Sequence, residues 1–450
     1  MKFSKKISAQ TLAVFCAALT LAFLSGPLIG ARAVVITEDK AVSEARQRAF
    51  ELKAARETLN EASGRVYEGF SGFLPKVTLA ANYTKLSAPQ INISGPAAAL
   101  FAGNFSPAMT ATDLYTGQLN VSQPLFAWGR IYHADRQARL GYKMALEKYR
   151  RVSNETVYKA RELFYGTLLA QKMLAIAEES EKLAEGRYNM TKRLYDEGKA
   201  STYDVSRAKV GLENVRVAVV RASNAAGMSI EALKTFLNLP DDIVVEGAFA
   251  HVEKELSLDD LTARAMSSRP EVAEAAFRER AAESIVAMAV SGDKPFVAAT
   301  YAWTAQSADY AAPYEKWDTR WQAGVALQWP VFDGLATFGR VKQARAGLKS
   351  LAVARQSVEA GVKLEVRSTY LNLRHIKESI RAQEQNVESA RENLEIAQKR
   401  YSLGLMSYIE LQDVHLAFSQ AETNYQQSLY EYNLALAAIE KITGADKYRQ

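Results

Sequence analysis

Two long stretches of this sequence contain no proline, and they limit the fold more than any other feature. All eleven prolines lie at or before Pro330; none falls between Leu125 and Leu239, and none from Val331 to Gln450. A helix interior cannot take proline without losing a hydrogen bond and clashing with the preceding turn. Stretches of this length, rich in Ala, Leu, Glu, Lys, Arg and Gln, are therefore predicted to be very long helices. The apolar positions agree. Val387, Ala390, Leu394, Ala397 and Tyr401 step by three and four, and Leu411, Val414, Phe418, Ala421 and Tyr425 repeat the step. That is coiled-coil spacing. Arg130 to Glu197, as one helix, spans roughly 100 Å at 1.5 Å per residue, far beyond the needs of a globular core.

The N-terminus bears on the compartment. Lys2, Lys5 and Lys6 precede an apolar run from Thr11 to Ile29, and Ala31-Arg32-Ala33 offers a small-x-small cleavage site. Residues 1–33 thus read as a secretory signal peptide. Cys16 lies inside the apolar run, so the mature chain from Val34 is expected to carry no thiol, disulfide or lipid anchor. Removing three Lys and one Arg from the 56 basic residues leaves 52 against 50 acidic ones, a net of +2. A nucleic-acid partner needs a clustered positive surface, and this balance argues against one. An exported chain with no second apolar run is expected to be periplasmic, secreted or an outer-membrane barrel.

The chain also resembles itself. Val121-Ser122-Gln123-Pro124-Leu125-Phe126 is echoed by Leu327-Gln328-Trp329-Pro330-Val331-Phe332, 206 positions later, and Tyr195-Asp196-Glu197-Gly198 by Tyr401-Ser402-Leu403-Gly404 at the same interval. Phe73-Leu74-Pro75 finds its counterpart at Lys294-Pro295-Phe296. Matching Gly129-Arg130 to Gly339-Arg340 implies four extra residues at the second strand-to-helix junction. Two structural repeats follow, residues 34–239 and 258–450, joined by a connector at 240–257. In the first, a helix leads to strands at about 77–87 and 117–125 and long helices at about 128–197 and 201–238. In the second, strands at about 296–305 and 320–329 precede helices at about 337–402 and 407–443.

Strict alternation marks the strands. Trp321, Ala323, Val325, Leu327 and Trp329 point one way, Gln322, Gly324, Ala326 and Gln328 the other. Ten residues is the length of a tilted strand across a bilayer. Phe296–Ala305 and Val77–Thr84 alternate similarly; Gln118–Leu125 is the weakest, because Gln123 interrupts Leu119 and Val121. Trp303, Trp317, Trp321 and Trp329 sit in or beside the last two strands, where a membrane-interface girdle needs aromatics. Four strands cannot close a barrel, and eight enclose only side chains. Twelve, from three chains, leave a water-filled bore.

These motifs, doubled, in order and spanning the mature chain, resemble the TolC-like outer membrane efflux family. The resemblance rests on Gln123-Pro124-Leu125-Phe126 and Trp329-Pro330-Val331-Phe332-Asp333-Gly334, and on the turns at Gly198 and Gly404. An acid follows each glycine by six positions, Asp204 and Glu410, and Arg269-Pro270-Glu271-Val272 matches a family phrase. The resemblance implies a mainly α fold with membrane β: a homotrimer whose twelve-stranded β-barrel, four strands per chain, continues into a long periplasmic α-helical barrel. It implies an outer-membrane exit duct for efflux or type I secretion. Its expected partners are outer-membrane lipid, a periplasmic adaptor and an inner-membrane transporter of RND, ABC or MFS type. A periplasmic coiled-coil adaptor is the alternative from another class, though adaptors carry one helical hairpin and this chain predicts two.

Glu410 and Asp413, three apart, share one helix face. In the family, acids at these positions line the periplasmic aperture, and Asp204 is the first-half equivalent of Glu410. Rings of carboxylates from three chains are expected to repel one another and raise their pKa values. Gly198 and Gly404 are expected at adaptor-facing tip turns, and Met406 stands where the family often has a basic residue. Trp303, Trp321, Val325 and Trp329 are expected to face lipid or its interface. Enzyme motifs are missing: His133, His251, His375 and His415 are isolated, Gly198-Lys199-Ala200-Ser201 lacks the upstream glycine of a phosphate loop, and no cofactor or metal site stands out.

Overall fold

The computed structural model describes residues 34–87, 112–249 and 255–444. The expected signal peptide, most of the loop between the first two strands and part of the connector lie outside the described residues. The elements of the N-terminal half are β1 (Val34–Ile36), α1 (Glu38–Arg48), α2 (Phe50–Ser71), β2 (Lys76–Lys85), β3 (Asp113–Phe126), α3 (Arg130–Asp196) and α4 (Thr202–Leu237). There follow β4 (Ile243–Val245), α5 (Leu258–Ser268), α6 (Pro270–Val290), β5 (Phe296–Ser307), β6 (Asp318–Gln328), α7 (Ala336–Ser402) and α8 (Tyr408–Thr443).

Both proline-free stretches are helical, and each holds one helix of 67 residues and one of 36. The bounds of α7 and α8 (336, 402, 408, 443) each lie 206 beyond those of α3 and α4 (130, 196, 202, 237). The four extra residues expected at the second junction are therefore not there. Left-handed backbone, not the Gly-Arg dipeptide, starts each helix: Trp128 and Gly129 have φ of 49° and 75°, Gly334 and Leu335 of 66° and 70°. Gly339 already lies inside α7.

Along α7 the buried residues Val366, Leu373, Ile380, Val387, Leu394 and Tyr401 recur every seven positions. A seven-residue repeat sustained this far winds a helix pair left-handedly. The expected seam of α8 is buried at Leu411, Phe418 and Ala421 and half-buried at Val414 and Tyr425.

The described residues group into two compact units. One, from Met1–Ala49, Lys159–His251 and Lys377–Leu434, has a core where Ile36, Ala41, Phe164, Leu233, Leu237, Ile243 and Val245 meet. Here β1 and β4 pair in parallel, Val34 opposite Ile243 and Ile36 opposite Val245. The connector thus carries a strand that three-residue runs of β-branched side chains signal only faintly. The other unit, from Phe50–Tyr158, Val252–Ile376 and Ala435–Gln450, holds an antiparallel sheet ordered β2-β3-β5-β6. Strand β3 begins at Asp113, earlier than alternation predicts. It kinks between Pro124 and Phe126 in a bulge where proline cannot donate to the ladder. Gln123, which interrupts the pattern, lies next to this kink and donates its amide to the Phe73 carbonyl at 3.0 Å.

Candidate functional site

Residues directly opposite across strands share a face of the sheet, so the register sorts the side chains. Val77, Leu79, Ala81 and Tyr83 stand opposite Val121, Leu119, Gly117 and Tyr115. Leu119 and Val121 in turn face Trp303 and Tyr301, which face Trp321 and Ala323; Ala299 and Val297 face Val325 and Leu327. One side of all four strands is thus apolar. The other carries Thr78, Asn120 and Gln322, with Ser122, Thr300 and Gly324 one step along. The apolar side is left open by the described residues: Leu79 is 78% exposed, Trp321 70% and Val325 69%. A patch of this extent is what a membrane-facing or partner-facing surface presents.

Aromatics gather at both ends of that face. Tyr83 and Tyr115 lie 4.9 Å apart at one end, with Tyr310 5.8 Å from Tyr115; Phe126 and Trp128 lie 5.2 Å apart at the other. Trp303 is half-buried directly opposite exposed Trp321. Trp329 falls one residue past β6, and its indole N–H donates to the Asp293 carbonyl at 3.1 Å. Eight residues separate Trp321 from Trp329, about 26 Å at ~3.3 Å per residue. On a strand tilted about 40° that is roughly 20 Å of height, within the roughly 25 Å apolar band of outer-membrane barrels.

The two helical turns are built alike. Gly198 and Gly404 both adopt φ of 72°, a conformation costing any other residue about 1 kcal/mol or more. The following N–H groups reach back five residues, Lys199 to the Leu194 carbonyl at 2.7 Å and Leu405 to that of Arg400 at 2.9 Å. This closes each helix in a Schellman turn. A serine then opens the next helix. The Ser201 N–H donates to Asp204 Oδ2 at 3.0 Å, and the Asp204 N–H to Ser201 Oγ at 3.2 Å. The Ser407 N–H donates to Glu410 Oε2 at 2.7 Å, and the Glu410 N–H to Ser407 Oγ at 3.3 Å.

These reciprocal caps change the electrostatic expectation. Within the chain, hydrogen bonds from Ser201 and Ser407 hold Asp204 and Glu410 below the usual carboxylate range instead of above it. Glu410 and Asp413 are both exposed on α8, while Leu411 between them is buried. The Ser-x-x-Asp and Ser-x-x-Glu signatures of these caps are present in the sequence at 201–204 and 407–410, a role beyond the aperture expected of the carboxylates.

Behind the second turn the expected seam residues Ala397, Tyr401 and Leu411 join Tyr408 and Ala208, which the spacing does not mark, in one cluster. Half-buried Met406 packs against it. Tyr401 and Thr191 share a hydrogen bond of 2.9 Å. Burial depresses the Arg187 guanidinium beside these tyrosines, and burial, with the Arg187 charge adding, pushes His415 down to about 4. Nε and Nη1 of Arg187 and Nε2 of His415 have no partner among the described residues. A polar residue on an apolar stripe leaves no distinctive trace in the spacing, so this burial could not be read from the sequence.

Comparison with known proteins gives this geometry its context. A family model described as outer membrane efflux protein matches residues 41–239 and 261–445. The chain is 24% identical to the outer membrane protein TolC of Vibrio cholerae serotype O1, over 83% of each protein. It is 23% identical to the alkaline protease secretion protein AprF of Pseudomonas aeruginosa, over 74% of this chain and 70% of that one. Its fold is similar to that of the Campylobacter jejuni CmeC outer membrane channel, with a TM-score of 0.76 and 18% identity over 90% of this chain and 85% of that one. The chain belongs to the outer membrane efflux protein family, channels of the outer membrane that serve efflux and secretion.

Proposed function

We propose that three copies of this chain close one passive duct from the periplasm across the outer membrane. The observation that carries this reading is a four-stranded sheet with an apolar face, a polar face and two open edges, β2 and β6. Open edges of this length invite pairing, and three copies bring twelve strands, enough for a bore filled with water instead of side chains. The apolar face, with Trp303, Trp321, Val325 and Trp329, meets lipid and its interfaces; the polar face lines the bore.

In this reading α3, α4, α7 and α8 of three copies form a periplasmic α-barrel. Residues 34–239 and 258–450 are two copies of one plan joined by 240–257, which the constant 206-residue offset supports, and residues 1–33 are a signal peptide. Glu410, Asp413 and Asp204 line the narrow end. The turns at Gly198 and Gly404 face a periplasmic adaptor, and an inner-membrane transporter of RND, ABC or MFS type supplies the energy. Mass measurement of the detergent-purified mature protein is the test. A trimer is expected; a stable monomer that conducts would overturn the shared barrel.

A further inference from the structure

A groove of about 640 Å³ lies where the end of α6 and the 3-10 turn Ser291–Asp293 meet the start of α7. Its lining has an apolar and a basic wall, with Thr337 and the Asp293–Lys294 ion pair beside them. Val290, Phe338 and Val341 form an apolar wall, and Lys342, Arg345 and Lys349 form a basic one. The turn sits tightly on α7 at the groove: a Cβ on Gly292 would stand 3.0 Å from Thr337 Oγ1. Asp293, whose carbonyl accepts the Trp329 indole N–H, also lines the groove. That bond ties the groove's edge to Trp329, one residue past β6.

The charges are arranged unusually. From Leu335 to Val358 the sequence has no acid, yet it carries Arg340, Lys342, Arg345, Lys349 and Arg355. Helix N-termini favour acids, because their exposed N–H groups carry partial positive charge, and α7 has none in its first turn. Arg340 is neutralised by Asp333 at 3.1 Å, and Lys294 lies 3.4 Å from Asp293. Lys342, Arg345 and Lys349 have no carboxylate partner among the described residues. They fall at i, i+3 and i+7, so they share one face of α7 over about 10 Å at 1.5 Å per residue. Just before them in the chain, Val331, Phe332, Leu335 and Phe338 are all strongly exposed.

An exposed apolar shelf beside uncompensated cations, joined to a lipid-facing sheet, matches one ligand chemistry: acyl chains on the shelf and a phosphodiester on the cations. We propose that this groove binds the headgroup of an anionic phospholipid from the inner leaflet of the outer membrane. The inference rests on the lipid-facing assignment of the sheet. Three unpaired positive charges favour a net-negative headgroup over a zwitterionic one. A free anion would have no use for Val290 and Phe338. The competing occupant is α2 of a second copy, whose Glu57, Glu61 and Glu68 offer opposite charge.

The test uses the full mature protein purified in non-ionic detergent and read by native mass spectrometry with phosphatidylglycerol or phosphatidylethanolamine added. The wild type is expected to retain phosphatidylglycerol at least about tenfold more strongly, given the attraction each cation near an anionic surface supplies. The triple variant Lys342→Gln, Arg345→Gln, Lys349→Gln is expected to lose that preference while keeping its oligomeric mass. Phe338→Ser keeps every charge and is expected to weaken phospholipid retention several-fold. Three results would overturn the site: an unchanged preference in the triple variant, displacement of the lipid by inorganic phosphate at equal concentration, or loss of the oligomer in the triple variant without lipid, which assigns the cations to a second copy. Failure of the wild type to partition into the outer membrane is a separate result that overturns the lipid-facing assignment itself.

Discussion

The sheet and the helical turns solve the same problem in opposite ways. Behind the turns the packing stripe is covered from within the chain, with Leu411 and Ala208 each 2% exposed although Leu403 and Leu405 beside Gly404 stay open. Serine–carboxylate pairs satisfy two N–H groups at the start of each of α4 and α8. In the sheet the apolar side chains are the ones left open, and the outer strands present unpaired backbone. A local structure complete in itself can be varied residue by residue. One whose cover comes from lipid and neighbouring copies can be judged only in its assembly.

The largest expected effect lies in the sheet. Val325→Arg should abolish membrane assembly, at about 2–4 kcal/mol per chain near mid-bilayer, whereas Gln322→Arg on the opposite face should assemble and only alter conductance. Outer-membrane fractionation of both variants is the check; equal behaviour would overturn the assignment of one face to lipid and the other to the bore.

A matched truncation sharpens the contrast. Leu411→Ala should cost about 2–5 kcal/mol by emptying a packed site, and denaturant melts of the detergent-solubilised protein should register it. Leu79→Ala, on the uncovered face, should leave those melts nearly unmoved. Comparable losses would show that the sheet face is covered within the protein.

Next comes the aperture. Glu410→Gln with Asp413→Asn removes charge but keeps the hydrogen bond to Ser407 within reach of the new amide. Planar-bilayer currents in asymmetric salt should show cation preference falling several-fold, with the oligomer intact. Unchanged selectivity would place these acids on a solvated outer face.

The smallest effects concern the caps and acid. Ser201→Ala or Ser407→Ala should cost about 1 kcal/mol each. Because Asp204 and Glu410 are lowered in the folded chain, their contribution is full above the ordinary carboxylate pKa near 4. It is lost as pH falls through the lower folded values. His415, depressed from 6.5 to about 4, acts in a separate window. The unfolded chain takes up a proton below 6.5 that the folded chain refuses until about 4, so stability declines between these values. His415→Leu should flatten that decline in a series of melts from pH 7 to pH 4, while the serine variants should not.

Much of this architecture is readable in one dimension because two periods dominate it. Seven-residue spacing from Val366 to Tyr401 and two-residue alternation from Trp321 to Trp329 are long enough to outweigh local exceptions. The failures occur where no period runs. Gly339 resembles Gly129 in letters, but the left-handed φ belongs to Gly334 and Leu335. The pairing of Val34–Ile36 with Ile243–Val245 joins segments about two hundred residues apart, and a three-residue strand is too short to alternate. At the candidate aperture the carboxylates stand out by their six-residue spacing from Gly198 and Gly404, whereas the capping role of Ser201 and Ser407 emerges only with the helix starts in place. Arg187 and His415 are buried by packing that spacing alone does not encode.

The unbroken 67-residue helices also govern how such a chain can change length over evolutionary time. Adding one residue inside α7 turns everything beyond it by about 100°, carrying the line of Val387, Leu394 and Tyr401 off the seam. Adding seven returns the line to within roughly 20° of its place. Descendants of this sequence should therefore lengthen or shorten these helices in whole heptads, matched in α3 and α4 or α7 and α8 so that each hairpin still meets at its glycine. Single-residue insertions should be confined to the loops at the far end of the sheet. Aligned relatives differing in length would carry that signature as gaps in multiples of seven.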